Sequence, residues 1–325
     1  MNIIHRPEWA IPEGETTPET VFFNRRKFMT GAAGAVAAGA LGGIGALDWA
    51  EGAEAPKDKT LSLYPAKRNP EFKLDRPLTE EQVAATYNNF YEFGGTKGIF
   101  WLSKRLKIRP WQVKVGGLVR KPKTYDIDDL IHSMPLEERL YRFRCVEAWA
   151  MAVPWTGFPI SALIKAVEPK NNAKYIVFKT FYRPSEALGQ LQVWYSWPYT
   201  EVLTIKEAMN NLALLCTGIY GKPLPQQHGA PIRLVLPWKY GFKSGKSLVS
   251  IEFTEKRPKT FWERAAPTEY GFWANVNPAF DHPRWSQKSE RILGTGKRRP
   301  TQIFNGYGKW VAHMYPDLKN RRYFM

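Results

Sequence analysis

Arg142-Phe143-Arg144-Cys145-Val146-Glu147-Ala148-Trp149 is the stretch on which the reading of this 325-residue chain turns. Two arginines directly before a thiol favour the thiolate, the form that ligates a soft metal or attacks an electrophile. A buried apolar cysteine is the plainer alternative, and the residues alone leave both open. Zinc does not suit the stretch, because no second Cys or His stands near it at ligand spacing. Glu147 is placed either to assist proton delivery and shape the site, or to form a salt bridge with Arg142 or Arg144. Trp149, and the more distant Trp285, are candidate apolar walls for a substrate, with core packing as their ordinary role.

Outward from Cys145 the pattern alternates between helix and strand. Residues 159–167 predict a helix, 175–181 a strand rich in β-formers, and 205–211 a short helix. Residues 232–236 read as a buried strand ahead of Pro237. Residues 247–254 read as another, with Val249, Ile251 and Phe253 on one face. On the other side, Thr79 caps a helix that runs towards Glu92, with acid in its first turn. Residues 113–119 give a strand and a glycine turn, and 125–131 a short helix. Pro-rich, charged residues 56–79 form an extended arm, and 256–325 are largely aromatic loop. No internal repeat or long linker follows residue 79, so the fold class is α+β, a single mixed domain over residues 56–325.

Composition narrows the classes. A hydrophobic content of 44% with 14% aromatic residues and 13 Trp can bury a core, which excludes a disordered chain. Two Cys exclude a disulfide scaffold, and scattered Gly and Pro exclude a collagen-like one. The net charge of +17 favours anionic partners such as an acidic lipid surface or a charged cofactor, or is simply a solvated basic face. No compact basic run or nucleic-acid motif is present, so nucleic acid is not an expected partner.

The N-terminus carries an address. Asn24-Arg25-Arg26-Lys27-Phe28-Met29 is similar to a bacterial twin-arginine export signal, followed by a weakly apolar Gly/Ala run over residues 31–47. Residues 1–55 are read as that signal and its leader, engaging the twin-arginine export machinery for delivery to the periplasm. Ala53-Glu54-Ala55 has a small-x-small cleavage pattern, but Pro56 would follow the cut and hinder it. An exported destination would permit a disulfide between Cys145 and Cys216.

Four segments together decide the family. Asn88-Asn89-Phe90-Tyr91-Glu92-Phe93, the Cys145 stretch, Pro237-Trp238-Lys239-Tyr240-Gly241-Phe242-Lys243, and Tyr270-Gly271-Phe272 with Ala274-Asn275-Val276-Asn277-Pro278 occur in this order. Over residues 56–300 the chain resembles the catalytic subunits of periplasmic protein-methionine-sulfoxide reductases. That resemblance implies a sulfite-oxidase-type fold and a molybdopterin cofactor with one molybdenum and one pterin. It makes Cys145 the metal's protein thiolate, which excludes a disulfide to Cys216 and leaves Cys216 a buried structural thiol.

The resemblance also implies a binding set. Asn88, Tyr91, Glu92 and Thr180 fall on pterin-holding positions, where amide, carboxylate and hydroxyl groups match the ring's donors and acceptors. His228 stands where the family has Asn. Arg233 and the turn Ser244-Gly245-Lys246 match phosphate-side contacts; the residues alone would read 243–246 as a basic hairpin turn. Catalysis is assigned to Cys145 and Glu147. With no haem-binding or Fe–S motif in the chain, a haem-containing membrane subunit is the implied electron donor, and oxidised periplasmic proteins are the implied substrates. The rival classes are a sulfite oxidase or another S- or N-oxide reductase on the same scaffold, and a non-catalytic exported binding protein.

Overall fold

Strand β4 (Trp149–Pro159) is buried along its whole length save Pro159, and one sheet is assembled around it. The computed structural model describes residues 58–324, so the twin-arginine pair, the apolar run after it and the cleavage-like site lie outside the described residues. Strand β3 (Glu137–Arg144) runs antiparallel to β4, from Glu137 opposite Gly157 to Arg144 opposite Ala150. The last residues of β4 also pair with β7 (Leu214–Ile219), and its first with β11 (Ser289–Ile292), which lies parallel to it. Strands β8 (Lys222–Pro223) and β9 (Arg233–Val235) add to β7, and β12 (Arg298–Pro300) adds to β11. Close approach is built in at Gly157, where a Cβ would stand 2.2 Å from the Leu215 carbonyl oxygen and the ladder shifts register.

A second, five-stranded sheet has the order β2 (Lys123–Asp126), β1 (Gln112–Gly117), β10 (Leu248–Thr254), β5 (Tyr175–Thr180), β6 (Thr200–Thr204). Only β1 and β10 in it are parallel. Ile160–Val167 forms the longest described helix, burying Ile160, Leu163, Ile164 and Val167 at the i, i+3, i+4, i+7 spacing of one helical face. The expected α+β class with mixed sheets is therefore present.

Several expectations need correction. Thr79 does not cap the following helix, which is only Glu81–Thr86 and has Glu80 at its start. The Thr79 hydroxyl instead accepts from Ala152 N at 3.1 Å, and its amide donates to Ala152 O at 2.8 Å, docking the arm onto β4. Tyr125 belongs to β2, and the helix begins at Ile127 on an Asp126 cap. A bulge between Leu248 and Ser250 leaves Ile251 and Phe253 buried but Val249 only half-buried. The arm is also not free: Asn69 N and Glu138 N exchange bonds with Glu138 O and Lys67 O, extending the sheet beyond β3.

The Trp238–Lys243 segment is locked by buried charge. Lys239 reaches Glu207 at 2.5 Å and Tyr315 Oη at 3.2 Å, while Lys243 reaches Glu201 at 2.6 Å. Lys243 is thus an anchor and not part of a solvated basic turn. Removing one partner of such a pair strands the other charge without water. Lys239→Met is expected to destabilise the protein by about 3–5 kcal/mol, read as a lower midpoint in chemical denaturation, because Glu207 stays buried.

Candidate active site

Cys145 sits at the turn between β3 and β4, and four residues make the whole connection. The turn closes through Cys145 N to Trp149 O at 2.9 Å and Ala148 N to Cys145 O at 3.1 Å, with Ala148 in the left-handed region at φ 59°. Side chains from a distant segment hold its outer carbonyl groups. Trp285 Nε1 and Gln287 Nε2 each donate to Val146 O at 2.7 Å, and the Arg144 guanidinium donates to Cys145 O. Arg144 also binds Gln287 at 2.7 Å and Glu290 at 3.1 Å. Trp285 is therefore a brace of this turn that stacks on His282, while Trp149 lines the cleft.

The two arginines do not activate the thiol as their spacing suggests. Arg142 turns to Asp75 and Gln302, and Arg144 is engaged as described. Burial pushes the Cys145 thiol up to about 12, and the nearby Glu147 carboxylate adds to the shift. A thiolate here requires a bound cation that displaces the proton, as a metal does. Cys216 is a free, buried thiol whose Sγ lies 3.1 Å from both Thr156 O and Gly218 O, in keeping with a structural role.

Glu147 pairs with neither Arg142 nor Arg144. Its partner is Lys97, a residue the sequence reading missed because nothing in a loop lysine signals a carboxylate fifty positions away. Trp149 Nε1 at 3.0 Å and Asn89 Nδ2 at 3.1 Å donate to the same carboxylate oxygen, which stands 3.8 Å from Cys145 Sγ. Burial opposes ionisation of Glu147, but the bonds from Lys97, Trp149 and Asn89 prevail and hold it below the ordinary carboxylate range. Asn89 was quoted as part of a motif without a role; its amide nitrogen lies 3.5 Å from Sγ.

A cleft opens beside the thiol. Asn88, Tyr91, Glu92 and His228 line it, as do Arg233, Ser244, Gly245 and Lys246. Thr180 stands behind the wall, its hydroxyl donating to Glu92 Oε1 at 3.0 Å. The backbone at Tyr91 and Glu92 lies so close to Gly189 that a Cβ there would sit 2.2 Å from Tyr91 O. Gly229, at φ +97°, likewise admits Lys246, whose Cβ would be 2.7 Å from any added side chain.

Charge in this wall is unbalanced. Arg233 is buried, yet its guanidinium donates only to the carbonyls of His228 at 2.9 Å, Leu234 at 3.2 Å and Ser244 at 3.3 Å. Among the described residues no carboxylate pairs with it. Burial lowers it to about 10, so it stays charged at neutral pH. Burial and the Arg233 charge together pull Lys246 down, while burial pushes Glu92 up. Asn88 Oδ1 is buried without a hydrogen-bond partner, although its amide donates to Ala84 O at 3.1 Å. An uncompensated buried cation and an orphaned acceptor fit a ligand that brings both an anionic group and hydrogen-bond donors. A phosphate-bearing pterin has that chemistry, and the donor set fits it.

His228 is buried, and that burial, reinforced by Arg233 and Lys246, lowers it to about 3, so the ring is neutral in the fold. The unfolded chain protonates this group below its ordinary value near 6.5 while the folded chain does not. Stability is therefore present above pH 6.5 and is lost as pH falls through the window to about 3. In cofactor-free protein, His228→Asn is expected to flatten the acid side of the stability profile by up to about 1.4 kcal/mol per pH unit, read by denaturant titration at stepped pH.

Comparison with known proteins agrees with this geometry. The family "Oxidoreductase molybdopterin binding domain" matches residues 101–262, which contain Cys145, Thr180, His228, Arg233 and the 244–246 turn. The protein-methionine-sulfoxide reductase catalytic subunit MsrP of Burkholderia mallei is 50% identical over 319 residues, covering 97% of this chain and 96% of that one. Among solved structures, the sulfane dehydrogenase SoxCD of Paracoccus pantotrophus matches 81% of this chain and 63% of its own, at 15% identity and a TM-score of 0.44, too distant to bear on function. Half the residues shared end to end, on a molybdopterin-binding domain with the thiol and the unpaired guanidinium in one cleft, mean that the chain belongs to the family of protein-methionine-sulfoxide reductase catalytic subunits.

Proposed function

We propose that the protein is an exported, molybdenum-dependent reductase that repairs methionine sulfoxide in periplasmic proteins. Cys145 would be the metal's thiolate, with Asn88, Tyr91, Glu92, Thr180 and His228 on the pterin side. Arg233, Ser244, Gly245 and Lys246 would face the phosphate. The observation that carries this reading is the pairing, in one cleft, of a buried thiol with a buried guanidinium that no acid neutralises. When bound, the molybdenum cofactor supplies a two-electron centre able to accept the oxygen atom of a sulfoxide.

The chain's own groups then bind and orient. Trp149, Tyr87 and Met151 give the thiol pole an apolar wall, with Tyr87 edge-on to Trp149 at 5.2 Å. That wall suits a methionine side chain. Asn89 is the nearest neutral donor to Sγ and offers a hydrogen bond to a sulfoxide oxygen. Glu147, held ionised, is a poor acid at neutral pH; it fixes Lys97, Asn89 and the Trp149 indole around the cleft mouth. Lys97, partly exposed, is the cation that pairs with it there. A carboxylate 3.8 Å from the thiol disfavours an anion such as sulfite, which supports the neutral sulfoxide over the sulfite oxidase alternative.

Electrons would come from a haem-containing membrane subunit drawing on the quinone pool, and the twin-arginine signal would deliver the folded chain to the periplasm. Anaerobic oxidation of a reduced viologen dye, driven by protein-bound methionine sulfoxide, tests the reaction. Wild type is expected to turn over and Cys145→Ser to lose activity by at least about a thousandfold, as loss of a group on which the chemistry depends commonly does. Equal activity in both would remove Cys145 from the mechanism. Arg233→Met is expected to retain less molybdenum on purification, measured by metal analysis, since the anionic end of the cofactor loses its buried cation.

A further inference from the structure

Apart from the cleft, the surface carries one concentrated apolar projection. The segment 182–197 exposes Leu191 at 61%, Val193 at 90% and Trp194 at 71%, beside Tyr182 and Leu188. Exposure of this order on a β-branched and an indole side chain in sequence is unfavourable in water and marks a contact surface.

The projection is held rigidly. Gln190 is buried, accepting from Arg183 N and donating to Phe181 O, each at 2.7 Å. Tyr195 packs on Phe261 at 5.2 Å, Trp197 on Phe261 at 5.0 Å, and Gly189 abuts the Tyr91–Glu92 backbone. The exposed side chains are therefore presented by a fixed base, and that base shares Tyr91 with the cleft wall.

Cations flank it. Residues 104–107 are tied to the loop, Lys107 N donating to Glu186 Oε2 at 2.8 Å and Arg183 Nη1 to Lys107 O at 3.0 Å. Lys104, Arg105 and Lys107 are exposed, and among the described residues no ion pair joins their side chains to an acid. Just before them Trp101 is 63% exposed, with the Lys104 ammonium 4.5 Å over its ring. Indole and aliphatic side chains beside unpaired lysine and arginine are the composition that partitions into the headgroup region of an anionic bilayer. A protein partner would need acids to match these cations as well as a pocket for Val193 and Trp194; a lipid surface supplies both the charge and the apolar depth. Among the described residues no helix is long and apolar enough to cross a membrane.

We propose that residues 188–194, with Lys104, Arg105 and Lys107, dock the protein onto an anionic lipid surface and so set the cleft mouth beside the headgroups. The proposal does not rest on the redox reading. The test is co-sedimentation of the full-length chain with vesicles of phosphatidylcholine, with and without phosphatidylglycerol. Wild type is always compared with variants of the same chain, since residues 31–47 can themselves enter a bilayer. Val193→Asp with Trp194→Asp is expected to weaken binding to the anionic vesicles at least about tenfold. Lys104→Gln with Arg105→Gln should lose about fivefold per charge on anionic vesicles, with little change on neutral ones. Both variants are at exposed positions, and unchanged thermal unfolding would confirm that they fold. Equal binding by wild type and the Val193/Trp194 variant would overturn the proposal. So would wild type that ignores vesicles but forms a dimer broken by the same substitutions, which would give the projection to a second copy, or one that binds only an acidic protein.

Discussion

Arg144 is wholly buried one residue before the thiol, and its guanidinium gathers Glu290, Gln287, Thr301 and the Cys145 carbonyl into one network. A charge with no access to water must be satisfied by fixed partners, so the network permits a single arrangement. Three of those partners come from residues 287–301, far along the chain. The same segment supplies β11, which pairs with the first residues of β4, and Trp285 lies just before it. Position of the sulfur is thus set by elements that close over it last in sequence, and the central strand, the turn and the C-terminal loops form one mechanical unit. Glu290 also accepts from Arg76 at 3.1 Å, which draws the N-terminal arm into the same lock.

Much of the peripheral fold was legible because its physics is local. The helix at 160–167 shows its buried stripe in sequence, and β5 shows its run of β-formers. The strands that carry the thiol were not read at all. β4 is buried on both faces, so it lacks the polar alternation by which a strand is seen, and Pro154 within it reads as a breaker. β3 has the reverse problem: Arg139 and Arg144 occupy buried positions that a charge pattern assigns to solvent. Thr79 looked like a cap because caps are common, whereas the sheet edge was the stronger demand on its hydroxyl.

The candidate site was legible in a different way. Motifs quoted in order identified Cys145 and most of the cleft, and the structure brings Asn88, Tyr91, Glu92, His228, Arg233 and residues 244–246 to its lining from three segments of chain. Lys97 and Asn89 escaped, because their importance lies only in what they touch: a carboxylate and a sulfur reached through space. The local charge argument for Cys145 failed for the same reason. Arg142 is engaged by Asp75 and Gln302, and the lowering effect of the Arg144 charge on the thiol is outweighed by burial and by Glu147.

That failure has a chemical consequence for the life of the chain before it acquires any metal. Thiolates are the nucleophiles that attack peroxides and disulfides, and a buried thiol raised to about 12 offers almost none at neutral pH. The unliganded sulfur is therefore chemically dormant, as is Cys216 in β7, whose thiol burial likewise pushes up. Capture of a metal must expel its proton, so assembly of the centre is itself an acid-releasing step that alkaline conditions favour and acid opposes. The fold thus makes ligation, and not the surrounding arginines, the event that awakens the sulfur.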